Sequence, residues 1–214
     1  MAIRFSRSLK AKVLSTVAAL FVSLSIPNAF AETGSFNGES VSTLGPSGTL
    51  KIEAERLSGT GTVIFDAPLT AIGESSSHRV SFLLAESGSM TLVLYANSES
   101  ESGLNIEFSR TGKALRVVAT KGTERTDLSR YFPGVDASRL LDYQIDIHND
   151  ENPAHVLVWK GFEPEFNESN AIINSESRSQ RMPSRGEGIY KALVLKNAFV
   201  FKAQSSEPKF KHEH

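Results

Sequence analysis

From Leu50 onward the chain is written in short pieces that alternate apolar and polar residues, and this pattern limits the fold more than anything else in the sequence. LKIEAERL alternates apolar and charged residues at period two, as a strand with one buried face requires. GTVIFDAP, HRVSFLLA, SMTLVLYA, GLNIEFSR, ALRVVATK, YQIDIH, HVLVWKG, YKALVLK and AFVFKA follow, rich in Val, Ile, Leu, Phe and Tyr and set apart by Gly, Ser, Asn, Asp and Pro. No apolar helical period runs beyond about two turns, and only TDLSRYF and DASRLL suit a short helix. The nine or ten segments predict an all-β, antiparallel two-sheet sandwich. Arg110-Thr111-Gly112-Lys113 reads as a tight turn between two of them, and Lys196-Asn197 as the divider of the last two, since Gly and Asn tolerate the positive φ of hairpins. The polar stretch from Phe162 to Arg185 exceeds a simple connection, and segments of that length usually carry function or move.

Residues 1–31 are of another kind. Arg4, Arg7, Lys10 and Lys12 form a basic head, Val13 to Ile26 is apolar, and Ala29-Phe30-Ala31 offers the small residues a signal peptidase accepts. The apolar run is shorter than the roughly twenty residues a membrane anchor needs. The segment reads as an export signal cleaved after Ala31. With no cysteine in the chain, neither a disulfide nor a lipid-bearing thiol is available. The expectation is a soluble periplasmic or secreted protein, of a pattern that suits a Gram-negative bacterium, with no span in the mature chain. Residues 32–48, polar and without period, read as a flexible arm, 49–205 as the sandwich and 206–214 as a polar tail. Four of the 23 Lys and Arg residues and none of the 24 Asp and Glu residues lie in the signal, so the remainder carries −5 with His neutral. That balance excludes nucleic acid and anionic lipid as charge-held partners, since both require a basic face.

Strand GLNIEFSR, a tight turn, strand ALRVVATK, the stretch LDYQIDIHNDENPAHVLVWKG and the closing GIYKALVLKNAFVFKA resemble the laminin-G and concanavalin-like jelly rolls over about Leu50 to Ala203. The resemblance implies a sandwich that binds glycans or proteins, and in some members cleaves polysaccharides. The cleaving members carry E-x-D-x-E on one strand, setting two carboxylates about 5 Å apart across the glycosidic bond. Here the matching stretch is Gln144-Ile145-Asp146-Ile147-His148, which keeps the central Asp and lacks both outer Glu residues. Retaining hydrolysis by this motif is therefore not expected.

Taking NDENPA as the loop sets His148 opposite His155, Asp146 opposite Leu157 and Gln144 opposite Trp159. Directly opposed residues share a face. Ile145, Ile147, Val156 and Val158 then make an apolar face, and Gln144, Asp146, His148, His155 and Trp159 gather on the other. An indole can cover the C–H face of a sugar while the amide, carboxylate and imidazoles meet its hydroxyls. The same residues admit a plainer arrangement, in which Trp159 and Leu157 form a small cluster beneath the 162–185 segment. His148 and His155 with Asp146 or Asp150 lack a four-ligand metal spacing. No cofactor is expected; Asp150, Glu151 and Asn152 are oxygen ligands of the type calcium takes, without the glycine of an EF-type loop. Arg185-Gly186-Glu187-Gly188 lacks phosphate-loop spacing, and no G-x-S-x-G occurs. The reading is an exported, non-catalytic module for a glycan or cell-envelope surface. The alternatives are a structural protein that docks an envelope partner, and a polysaccharide-acting enzyme using a pair such as Asp146 and Glu187.

Overall fold

A computed structural model describes residues 32–44, 48–69, 75–96, 103–148, 155–161, 165–175 and 188–206. The expected export signal, the Asp150–Asn152 turn, Arg185 to Glu187 and the tail from 207 lie outside the described residues. The described chain is nearly all β: β1 (Thr33–Phe36), β2 (Glu39–Thr43), β3 (Lys51–Glu53), β4 (Arg56–Phe65), β5 (Ser76–Ala96), β6 (Leu104–Thr111), β7 (Ala114–Lys121), β8 (Glu124–Asp127), β9 (Leu141–His148), β10 (His155–Lys160), β11 (Ile173–Asn174) and β12 (Tyr190–Ser206). They form one antiparallel sheet in the order β1-β2-β4-β12-β5-β6-β7-β8, with β3 beside β4 and β9, β10 and β11 branching from β5.

The spine is the ribbon of β5 and β12, 21 and 17 residues long. It pairs from Tyr190 and Ala96 at one end to Ser206 and Ser77 at the other. Midway the register shifts between Lys196 and Ala198, opposite Ser89 and Leu84, and Ser87 and Asn197 take φ of 56° and 48°. Bulges of this kind bend a strand and sharpen its twist. On either side of the bend the free edge of β5 takes a different partner, β6 along 89–94 and β9 along 76–82. The sheet thus carries two wings, β6-β7-β8 and β9-β10-β11. Phe82, Phe108, Phe132 and Tyr143 fill the angle between them: Phe108 stacks on Tyr143 at 5.4 Å and 11°, and Phe132 meets Tyr143 edge-on at 5.4 Å. All four belong to the main core.

The bend accounts for three departures from the sequence reading. HRVSFLLA and SMTLVLYA are one strand, and so are YKALVLK and AFVFKA. Asn197 does adopt positive φ, but in a bulge that bends the chain instead of a turn that reverses it. Conversely LKIEAERL, expected as one strand, folds back at Ala54-Glu55 so that Glu53 faces Arg56. Arg110 to Lys113 does turn, with Gly112 at φ 60° and Thr111 opposite Ala114.

The expected flexible arm is also part of the sheet. Phe36 and Val41 are fully buried, and β1 and β2 are joined by Asn37-Gly38 with φ of 51° and 83°. That is the two-residue turn whose twist matches paired strands. Gly34 lies so close to β3 that a Cβ there would stand 2.7 Å from Ile52 Cγ2. TDLSRYF supplies only a 3-10 turn at Ser129–Tyr131, and DASRLL forms no helix.

Gly88 sits at the bend, where a Cβ would lie 2.5 Å from the Asn197 carbonyl oxygen and 2.9 Å from that of Ala85. Backbone cannot yield as a side chain does, so Gly88→Ala should cost about 1–3 kcal/mol. Gly112→Ala, in an open turn, should cost about 1 kcal/mol, that of left-handed φ alone. Urea midpoints of the two variants check this; equal losses would mean that the bend tolerates a side chain.

Candidate functional site: a polar groove beside the β9 wing

The register of four neighbouring strands builds the site. Trp159 on β10 faces Gln144 on β9, Gln144 faces Arg79 on β5, and Arg79 faces Gln204 on β12. Because side chains alternate along each strand, this row points to the face opposite Val80, Tyr143 and Ala203, which enter the core. One row over stand Asp142, Ser81 and Lys202; on the other side stand Leu157, Asp146, Ser77 and Ser206.

A groove of about 450 Å³ lies over these rows. Arg79, Gln144, Lys202 and Gln204 line it from the sheet, Gly161 and Phe166 from the end of β10 and the segment beyond, and Asn37 and Glu39 from the β1–β2 turn. Asn37 also holds the edge of β12, its Nδ2 donating to the Phe201 carbonyl at 3.3 Å and its Oδ1 accepting from the Ala203 N–H at 3.2 Å. Arg79 donates Nε to Asp142 Oδ1 at 3.2 Å and Nη2 to Oδ2 at 2.7 Å, and this bonding raises the guanidinium pKa above its ordinary value. Only glycine at 161 leaves Asp142 its place, since a Cβ there would stand 2.5 Å from Asp142 Cγ.

The residues expected to bind a sugar are brought together in the expected register, but most of them are shut from solvent. Trp159 and Asp146 are each 0% exposed, and His148 and His155 are buried. The cover is the 165–175 segment. Phe166 meets the Trp159 ring edge-on at 5.5 Å, Trp159 Nε1 donates to the Asn167 carbonyl at 2.8 Å, and β11 pairs with Leu157 and Val158. The His148 and His155 rings lie 5.6 Å apart, and His155 Nε2 is 2.9 Å from Asn174 Oδ1. The indole is therefore not an open platform: its large apolar area is removed from water by the segment that follows it. Asp146, the carboxylate offered for hydrolysis, is fully buried and accepts from Ser77 Oγ beside it on the same face, and Ser77 accepts in turn from Gln144 Nε2. Gln144 alone of the five reaches the groove, joined by the half-buried ring of Phe166, an aromatic within a polar segment that sequence reasoning passed over.

A second cavity of about 420 Å³ adjoins the groove across Glu39 and Ser205, with Leu69, Ser76 and Lys191 in its walls. Buried Lys191 donates Nζ to Ser205 Oγ at 2.8 Å, to the Ala203 carbonyl at 3.0 Å and to Glu39 Oε2 at 3.3 Å, and lies 4.0 Å from the centre of the Phe65 ring. Burial lowers its pKa against the opposing pull of Glu39. Ser205 Oγ is 3.1 Å from His78 Nδ1, His78 Nε2 is 2.9 Å from Ser76 Oγ, and Ser76 Oγ is 2.7 Å from the Tyr95 hydroxyl. Burial, and then the charge of Lys191, press the His78 pKa down to about 3. A neutral imidazole with both nitrogens engaged, one donating and one accepting, is a strut between two serines. Glu39, His78, Lys191 and Ser205 are scattered along the chain, and no local motif announces them. Among the described residues no three His, Asp or Glu side chains stand close enough to hold a metal ion, and no helix is long and apolar enough to cross a membrane.

No protein-family model and no curated protein matches the sequence. Among solved structures the chain is similar to a carbohydrate binding module from Bacillus subtilis, with 6% identity over 84% of this chain and 93% of that one, at a TM-score of 0.42. It is similar also to a galectin of Caenorhabditis elegans, with 11% identity over 73% of this chain and 100% of that one, TM-score 0.40. An endo-1,3-beta-glucanase from Streptomyces sioyaensis shares 11% identity over 84% of this chain and 89% of its own, TM-score 0.46. These are proteins of the kinds that the jelly-roll resemblance implied. At such scores the likeness assigns no residue a role, and function has to be argued from the groove itself.

Proposed function

We propose that the protein is an exported, non-catalytic binding module, a two-sheet sandwich of jelly-roll type whose two wings are its sheets, and that it holds a carbohydrate in the groove over Gln144, Arg79 and Gln204. The observation that carries this reading is the row itself: amide, guanidinium and amide on adjacent strands, about 4.8 Å apart, beside an aromatic wall. Planar groups of this kind donate to and accept from vicinal hydroxyls, and the Phe166 ring offers a C–H surface. The volume falls in the range of small-ligand sites. Cleavage after Ala31 would deliver the module to the periplasm or the exterior, where envelope glycans are its natural ligands.

A glycan array with the purified protein tests the proposal. Binding should be retained by Ser129→Ala, which lies outside the groove's lining, and weakened about tenfold by Phe166→Ala or Gln204→Ala. Gln204 is exposed, so its loss should leave the fold intact. The second reading, docking of an envelope protein, draws on Phe199 and Phe201, which are 37% and 38% exposed on one strand. An array left blank by folded protein, with an envelope partner lost in Phe199→Ser, would favour it.

A further inference from the structure

We propose that the groove selects a sugar bearing one negative charge, as a carboxylate or a sulfate, and that Lys202 is the residue that selects it. This rests on the reading of the groove as a carbohydrate site.

Among the described residues that line the groove, the charges are paired with one exception. Glu39 meets Lys191 Nζ at 3.3 Å, and that ammonium is buried behind the groove wall. Arg79 is matched by Asp142 at 2.7 Å. Asp146, further along β9, is fully buried and held by Ser77. Lys202 lines the groove half-exposed and, among the described residues, its side chain has neither an ion pair nor a hydrogen bond. Among the described residues one uncompensated cation is thus left facing the space a ligand would fill.

Its position gives the charge a use. Lys202 stands opposite Ser81, and Gln204, on the same face of β12, stands opposite Arg79. Diagonal neighbours on one face are about 7–8 Å apart, within reach of long side chains. A monoanionic group set among Lys202, Gln204 and Arg79 would accept a charge-assisted hydrogen bond from the ammonium and further bonds from the amide and from the guanidinium N–H groups that Asp142 does not use. Asp142 fixes the plane of Arg79 and cancels its charge, so the groove presents one net positive charge. A neutral sugar gains nothing from that ammonium that water does not already supply.

The test is a panel of uronic-acid and sulfated oligosaccharides, each paired with its carboxyl-reduced or desulfated counterpart, with affinities measured by calorimetry on the purified protein. The acidic member of at least one pair should bind about tenfold tighter at low ionic strength, with the margin shrinking as salt rises. Lys202→Gln should abolish the margin, and Lys202→Arg should keep it. Which of the two panels shows the margin distinguishes carboxylate from sulfate. Equal binding of acidic and neutral members, both lost in Gln204→Ala, would overturn the charge selection and leave the groove standing. A margin that survives Lys202→Gln would overturn the role of Lys202. A folded protein that binds no member of any pair would overturn the groove reading, and this inference with it.

Discussion

Replacing Trp159 by alanine should cost about 3–5 kcal/mol of folding stability, the range for removing a large buried aromatic. The indole has no exposed surface, so its whole apolar area is lost from the packed state. Its N–H bond to the Asn167 carbonyl and its edge contact with Phe166 fasten the first part of the covering segment to β10, while β11 pairs with Leu157 and Val158 further on. Without them residues 165–170 should loosen from β10 and admit water to the space the indole filled, while β11 keeps its pairing with Leu157 and Val158. Trp159→Phe separates the two contributions: the ring packing largely remains and the hydrogen bond goes, for a loss of about 1–2 kcal/mol. Urea denaturation gives both numbers, and amide exchange across 165–170 should accelerate in the alanine variant before the sheet opens. A loss below about 1 kcal/mol for Trp159→Ala would be what a solvent-facing platform predicts, and would undo the covered arrangement.

The same tryptophan shows how far the sequence could be read. Alternation and a counted loop set Gln144 opposite Trp159 and His148 opposite His155, and that register is the one observed. Period two settles which residues share a face, but it does not say which face meets water. That depends on a segment with no period, 165–175, returning to pair with β10. The turn signals had a related limit. Asn197 and Gly112 both adopt positive φ, yet one bends a strand and the other reverses it, because the outcome depends on whether the partner strand is bulged at the same height. The Asn37-Gly38 hairpin was open to recognition, and the single apolar residues Phe36 and Val41 around it were too few to register as strands. The groove was beyond local reading, since its row takes one residue from each of β9, β5 and β12.

The largest pH effect should come from His78, and it should appear as acid lability. Its folded pKa lies near 3, against 6.5 for an unperturbed imidazole. Between those values the unfolded chain takes up a proton that the folded chain refuses, so stability is whole above about pH 6.5 and falls as the pH drops towards 3. The slope cannot exceed about 1.4 kcal/mol per pH unit, and between pH 6.5 and 4.5 the loss should reach about 2–3 kcal/mol. That window lies above the ordinary carboxylate value of 3.8, so Asp127 and Asp136, held down by their bonds to Ser129 and Ser138, add their own losses only at lower pH. His78→Gln should be less stable than the parent at pH 7.5 yet follow a flatter curve through the window, and urea midpoints taken every half unit would show it. Parallel curves would mean that His78 takes up its proton in place. The ring spans Ser76 and Ser205, and Ser205 shares the groove wall with Glu39, the partner of Lys191. Only below about pH 3 would a second cation arise beside Lys191 and free Ser205 from its strut. Because the folded chain keeps this imidazole neutral down to about pH 3, ligand retention in the groove should persist through the window in the parent protein and be lost only where the fold itself is lost.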